Sequence, residues 1–106
     1  MKIFLFGGTT EGRLLAADLA AMGAAVTVSV ATPLGAEELA AIPGLTVLTG
    51  RMEVPAMAEA LAGQDLCVDA THPYAAAASA NIRAACEQAG VRRRRLARPE
   101  SALPPG

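Results

Sequence analysis

Gly7-Gly8-Thr9-Thr10-Glu11-Gly12-Arg13 joins the residue types that a phosphate site needs, and it directly follows a short apolar run. Glycines let backbone amides approach an anion, and the free N–H groups of a helix's first turn add donors and a partial positive charge. In a dinucleotide fold Gly7 would make the tight turn, Gly8 or Thr9 would admit a pyrophosphate, and Gly12 would let the helix pack closely on the strand. The strict G-x-G-x-x-G spacing asks for glycine at position 9, where this chain has Thr9. The plainer alternative is a strand-to-helix turn whose glycines serve geometry and whose threonines cap helices.

The stretch after the second apolar run, Ser29-Val30-Ala31-Thr32-Pro33, bears on which nucleotide would bind, since it holds no Asp or Glu to grip ribose hydroxyls. An acidic side chain there would repel a 2′-phosphate, whereas small hydroxyl residues with a nearby arginine suit NADP. Arg13 or Arg51 would be that arginine, though a solvated helix position and a surface turn at Gly50-Arg51 account for them equally well.

A second candidate constellation is Asp69-Ala70-Thr71-His72-Pro73-Tyr74, which holds the only histidine and the only tyrosine of the chain. It follows the fourth apolar run, and ligands of open α/β sheets bind beyond the carboxyl ends of strands. His72 would hold a phosphate, donate to a nicotinamide amide or protonate a substrate carbon, and His72 and Tyr74 are the catalytic candidates. A structural histidine and a helix-starting Pro73 are the alternatives. Asp69, ending a buried strand, reads as a cap for Thr71 and its turn rather than as a chemical group.

Four apolar runs would carry these loops as strands, at residues 2–6, 26–31, 45–48 and 66–69. Each is nearly continuous rather than alternating, as expected of parallel strands covered on both faces. Ala- and Leu-rich segments at residues 11–22, 35–41, 53–62 and 74–89 read as crossover helices, with Gly23, Gly44, Gly63 and Gly90 just past their ends. Such alternation specifies an α/β fold, a Rossmann-like doubly wound parallel sheet in three α/β/α layers with four to five strands. After residue 91, Arg92-Arg93-Arg94-Arg95 opens a fifth, edge strand. Residues 1–98 would then be the nucleotide-binding domain, and 99–106, ending Pro104-Pro105-Gly106, the start of a linker to a second domain.

At 106 residues, with 53% hydrophobic and 18% charged residues and a formal net charge of -1, the chain has the composition of one globular domain. It is neither a disordered segment nor a coat for polyanions. The arginine run reads as a solvated edge or interdomain surface rather than a nucleic-acid contact. The run at residues 3–6 is too short for a signal peptide or a membrane span, so a cytoplasmic protein is expected. Cys67 and Cys86 lack metal-ligand spacing and read as reduced core residues, and no metal site is expected. With 3% aromatic residues the core should be built from Ala, Val, Leu, Ile and Met. A core that thin predicts an apolar face for a partner domain or for self-association.

Taken together, Gly7 to Arg13, Ala31-Thr32-Pro33-Leu34-Gly35, Gly50-Arg51, Asp69 to Ala75 with Asn81, and Arg98-Pro99 resemble the precorrin-6A reductase family in order and spacing. The resemblance covers essentially the whole chain. It implies NADPH-dependent reduction of one ring double bond of precorrin-6A, or of its cobalt form, to the 6B product in cobalamin biosynthesis. It further implies that this chain is the cofactor half of a longer enzyme, whose second α/β domain closes over the macrocycle. Gly7, Gly8, Thr9, Thr10, Glu11, Gly12, Arg13, Thr32 and Arg51 would contact NADPH. Thr71, His72 and Tyr74 would face the nicotinamide and the tetrapyrrole, with Asn81 on the substrate side. A stand-alone NADP-binding or sensing module remains the alternative.

Overall fold

In the computed structural model, residues 1–71 and 76–96 are described. Strands and helices alternate through β1 (Lys2–Phe6), α1 (Thr10–Ala21), β2 (Ala25–Val30), α2 (Pro33–Ala40), β3 (Leu45–Thr49), α3 (Val54–Leu61), β4 (Leu66–Asp69), α4 (Ala76–Ala89) and β5 (Arg93–Arg95). The five strands form one sheet in the order β3-β2-β1-β4-β5, and every pairing is parallel. This is the Rossmann-like doubly wound arrangement. The chain leaves β1 toward β2 and β3, then returns across β1 to β4, so the order reverses between β1 and β4.

Side chains of β1 alternate between two cores because successive residues of a strand point to opposite faces. Ile3 and Leu5 join Val26, Val28, Val30, Val68 and Ala70 under α1 and α2, which add Ala16 and Leu39 to the cluster. Phe4 and Phe6 point the other way, onto Met57 and Leu61 of α3 and Ile82, Ala85 and Cys86 of α4. The two rings pack at 4.9 Å between centroids with a 49° tilt. The core is therefore not purely aliphatic. Both phenylalanines of the chain lie in it, each worth about 1.5–3 kcal/mol by burial. Cys67 and Cys86 are unpaired thiols within the same cluster.

The outer strands depart from the fully covered pattern, since β3 and β5 are half-exposed along much of their length. Helix ends follow the sequence more closely. Gly23, Gly63 and Gly90 take positive φ just beyond their helices, whereas Gly44, also at positive φ, lies four residues past the end of α2 and directly before β3. Helix α2 begins two residues earlier than its Ala- and Leu-rich segment suggests. Pro33 occupies its first turn and Thr32 caps it, accepting from the Gly35 amide. Among the described residues no helix is long and apolar enough to cross a membrane. The expected linker at 99–106 lies outside the described residues, as do Arg98 and Pro99 of the sequence motifs.

Candidate functional site

The parallel sheet brings the carboxyl ends of β1, β2, β3 and β4 to one edge, and two clefts open there. The smaller, about 350 Å³, lies toward α1 and α2 and is lined by Thr9, Thr10, Arg13, Thr32, Leu34 and Glu38 among others. The larger, about 920 Å³, lies toward α3 and α4, and its lining includes Arg51, Met52, Met57, Thr71, Asn81 and Ile82. Gly7, Gly8, Val30 and Ala31 border both, so the tip of the glycine loop forms the ridge between them.

Each glycine of that loop has its own reason to lack a side chain. Gly7 extends the β1 ladder, donating its amide to Ser29 O at 2.8 Å. A Cβ there would stand 3.2 Å from Val28 Cγ1 and 3.3 Å from Val30 Cγ1. The turn itself falls on Gly8, at φ +145° with open space around it, rather than on Gly7 as the motif suggests. Gly12 is buried where the first turn of α1 meets the residue that follows β4, and a Cβ would meet that of Ala70 at 2.7 Å. The close approach that requires glycine is thus to the segment leaving β4 rather than to a strand.

Thr9 does work that the sequence leaves open. Its hydroxyl caps α1 by accepting from the Gly12 amide at 3.1 Å and donates to Ala70 O at 2.9 Å. The glycine loop is thereby tied to the segment that leaves β4. The helix-capping reading of Thr9 and Thr32 holds, and both still line the smaller cleft. Glu11 and Gly12 line neither cleft.

Arg13 and Thr32 share the smaller cleft, while Arg51 stands on the larger one with Thr71 and Asn81. The two candidate arginines are thus separated by the ridge. His72 and Tyr74 lie outside the described residues. Among the lining residues to which the sequence reading gave no site role are Leu34 and Glu38. Leu34 is 68% exposed beside Thr32, and Glu38 places a carboxylate in the cleft that holds Arg13. The signal for Glu38 was present, because it stands three residues after Gly35 on one face of α2.

Asp69 is completely buried at the end of β4 and gathers the segment that follows. Its Oδ1 accepts from the Thr71 amide at 3.1 Å, the Thr71 hydroxyl at 2.6 Å and Arg95 Nη1 at 2.9 Å, and its Oδ2 accepts from the Ser79 hydroxyl at 2.6 Å. Burial alone would push the carboxyl up. The Ser79 and Thr71 hydrogen bonds, with Arg95 adding its charge, outweigh that and hold it below the usual carboxylate range. The structural role expected for Asp69 is therefore what the geometry displays, and Arg95 is more than part of a solvated edge.

A likeness to known proteins accompanies this geometry. The family model described as precorrin-6x reductase CbiJ/CobK matches residues 2–106. The chain belongs to that family. A cobalt-precorrin-6A reductase of Salmonella typhimurium is 41% identical over 100 residues, covering 92% of this chain and 38% of its own length. The solved structure of a CobK precorrin-6A reductase superposes with a TM-score of 0.77 at 35% identity, over 92% of this chain and 38% of that one. Vestitone reductase from alfalfa shares the fold alone, at 18% identity and a TM-score of 0.69, over 89% of this chain and 34% of its own. The chain thus spans well under half the length of the family relatives it matches.

Proposed function

We propose that this chain binds NADPH across the two clefts and supplies the cofactor-binding half of an enzyme that reduces precorrin-6A, or cobalt-precorrin-6A, to the 6B form during cobalamin biosynthesis. The observation that carries the reading is the glycine loop at the carboxyl end of β1, with a cleft on either side of it and an arginine in each. A dinucleotide's pyrophosphate fits over Gly7 and Gly8. Since the Gly12 amide is already taken by Thr9, an anion here is met by amides nearer the loop tip.

The adenylate end then turns into the smaller cleft, where Arg13 faces a 2′-phosphate and the Thr32 hydroxyl is close by. Of the two candidate arginines, Arg13 is favoured because it shares its cleft with Thr32, whereas Arg51 is on the far side of the ridge. Glu38 opposes a 2′-phosphate and moderates the preference. The nicotinamide end would lie in the larger cleft near Thr71, with Asn81 toward the tetrapyrrole. The cofactor supplies the hydride, and the chain's part is to hold and orient it.

His72 and Tyr74 are proposed to act on the nicotinamide and the tetrapyrrole. The remaining length found in the relatives would cover the macrocycle. The test follows NADPH oxidation with cobalt-precorrin-6A, using the chain alone and the chain supplemented with the remaining part of a full-length relative. Turnover restored by the supplement supports the reading. Tight NADPH binding with no turnover in either case would leave a nucleotide-binding module instead.

A further inference from the structure

The larger cleft has one wall whose hydrogen-bonding capacity is almost used up, and the remainder is of one kind. Thr71 and Ser79 each spend their hydroxyl proton on Asp69, at 2.6 Å to Oδ1 and Oδ2 respectively. Their own 3.3 Å approach therefore has no proton left to share. From β5, Arg95 Nη1 lies 3.2 Å from Asp69 O, 2.9 Å from Thr71 O and 3.2 Å from Thr71 Oγ1. Parallel pairing sets Arg95 opposite Asp69, which explains how the guanidinium reaches the turn.

Thr71, which lines the cleft, is thus fixed among the described residues at its amide, its carbonyl and its hydroxyl, and with the hydroxyl proton spent on Asp69 the oxygen has only acceptor capacity left. We infer that Asp69 and Arg95 position Thr71 as a hydrogen-bond acceptor on the larger cleft, so that the ligand group it takes there is an N–H donor of the carboxamide kind. This rests on the nicotinamide dinucleotide reading above and adds to it the orientation of the ring's amide, with nitrogen rather than oxygen toward Thr71. A carbonyl or carboxylate set against Thr71 would oppose lone pair to lone pair and lose its hydration without replacement. The charge of Arg95 is offset by Asp69 at 2.9 Å, so the wall offers no net cation to an acidic ligand.

The test compares NADP⁺ with its 3-acetylpyridine analogue, in which a methyl group replaces the carboxamide nitrogen. Calorimetric titrations of the chain are made with both, and with 2′-phospho-ADP-ribose as a ligand lacking the ring. The unsubstituted chain should prefer the carboxamide by about fivefold, the net worth of one hydrogen bond. That preference should vanish in Thr71→Val, survive in Thr71→Ser and shrink in Arg95→Ala, with 2′-phospho-ADP-ribose affinity unchanged throughout. Equal binding of the two dinucleotides by the unsubstituted chain, or a preference that persists in Thr71→Val, overturns the inference while leaving dinucleotide binding intact. Failure to bind any of the three ligands overturns both.

Discussion

The two clefts share a ridge yet are built in opposite ways. The smaller is shaped mainly by local sequence: Thr9 and Thr32 cap the helices that flank it, and Arg13 and Glu38 belong to those helices, with the Thr9 hydroxyl's bond to Ala70 O as a long-range tie. The larger depends on contacts between distant segments, since Thr71 is held by Arg95, 24 residues away, through a carboxylate buried at the end of β4. A site assembled from capped helix ends tolerates changes at the far sheet edge. One assembled from a buried charge network does not.

The sharpest way to break the contrast is Asp69→Ala. It strands the Thr71 amide and the Thr71 and Ser79 hydroxyls and removes the countercharge of Arg95, and a loss of about 3 kcal/mol is expected because donors of a buried network lose their shared acceptor. Urea unfolding measures it. At temperatures where the variant stays folded, 2′-phospho-ADP-ribose should still bind, because its cleft is untouched. Loss of both in equal measure would mean that the clefts are one unit.

Gly12→Ala tests the seam between them. Alanine gains at most about 1 kcal/mol in a helix, less in the first turn where Gly12 lies, but a Cβ at 2.7 Å from that of Ala70 forces the start of α1 away from the segment after β4 at a typical overpacking cost of about 1–3 kcal/mol. Net destabilisation is expected, with weaker binding of every nucleotide because the loop moves with the helix. A stabilised variant with unchanged affinity would show that the close approach is unnecessary.

Acid separates the same regions. The folded Asp69 carboxyl lies below its ordinary value of 3.8, so the unfolded chain binds the proton more readily, and the stability this group contributes, complete above 3.8, is lost as pH falls from there through the lower folded pKa. Asp69→Asn should flatten this part of the profile, as followed by circular dichroism. At the alkaline end the sign reverses. Burial pushes the Cys67 and Cys86 thiols up from 9.0, so stability should fall as pH rises past 9.0, and native thiols should resist alkylation at neutral pH.

The smallest effect expected is at Glu38. Glu38→Gln removes an exposed carboxylate from the Arg13 cleft and should tighten NADPH binding by roughly twofold to fivefold, with NADH little changed, since exposed charge pairs are worth under about 1 kcal/mol. Equal tightening of both nucleotides would place the 2′-phosphate elsewhere.

What the sequence made legible follows from the same contrast. The glycine loop, the caps and the helix-ending glycines are local signals, and the inner strands announce themselves as continuous apolar runs because both their faces are covered. That very continuity hid the division of labour in β1, where Phe4 and Phe6 serve one core and Ile3 and Leu5 the other. Arg95 read as one of four adjacent arginines, and only the register that sets β5 beside β4 singles it out. The turn at Gly8 instead of Gly7 was equally hidden, since either glycine satisfies the motif.

The most direct measurement of the central claim is a calorimetric titration of this chain with NADPH and NADH at fixed salt, repeated for Arg13→Ala and Arg51→Ala. NADPH should bind more tightly than NADH. Arg13→Ala should erase that preference by weakening NADPH about tenfold, the size expected when a charged hydrogen bond to phosphate is lost, whereas Arg51→Ala should leave the ratio in place. Loss of the preference in Arg51→Ala with Arg13→Ala silent, or equal binding of the two nucleotides by the unsubstituted chain, would contradict the assignment of the 2′-phosphate to the smaller cleft.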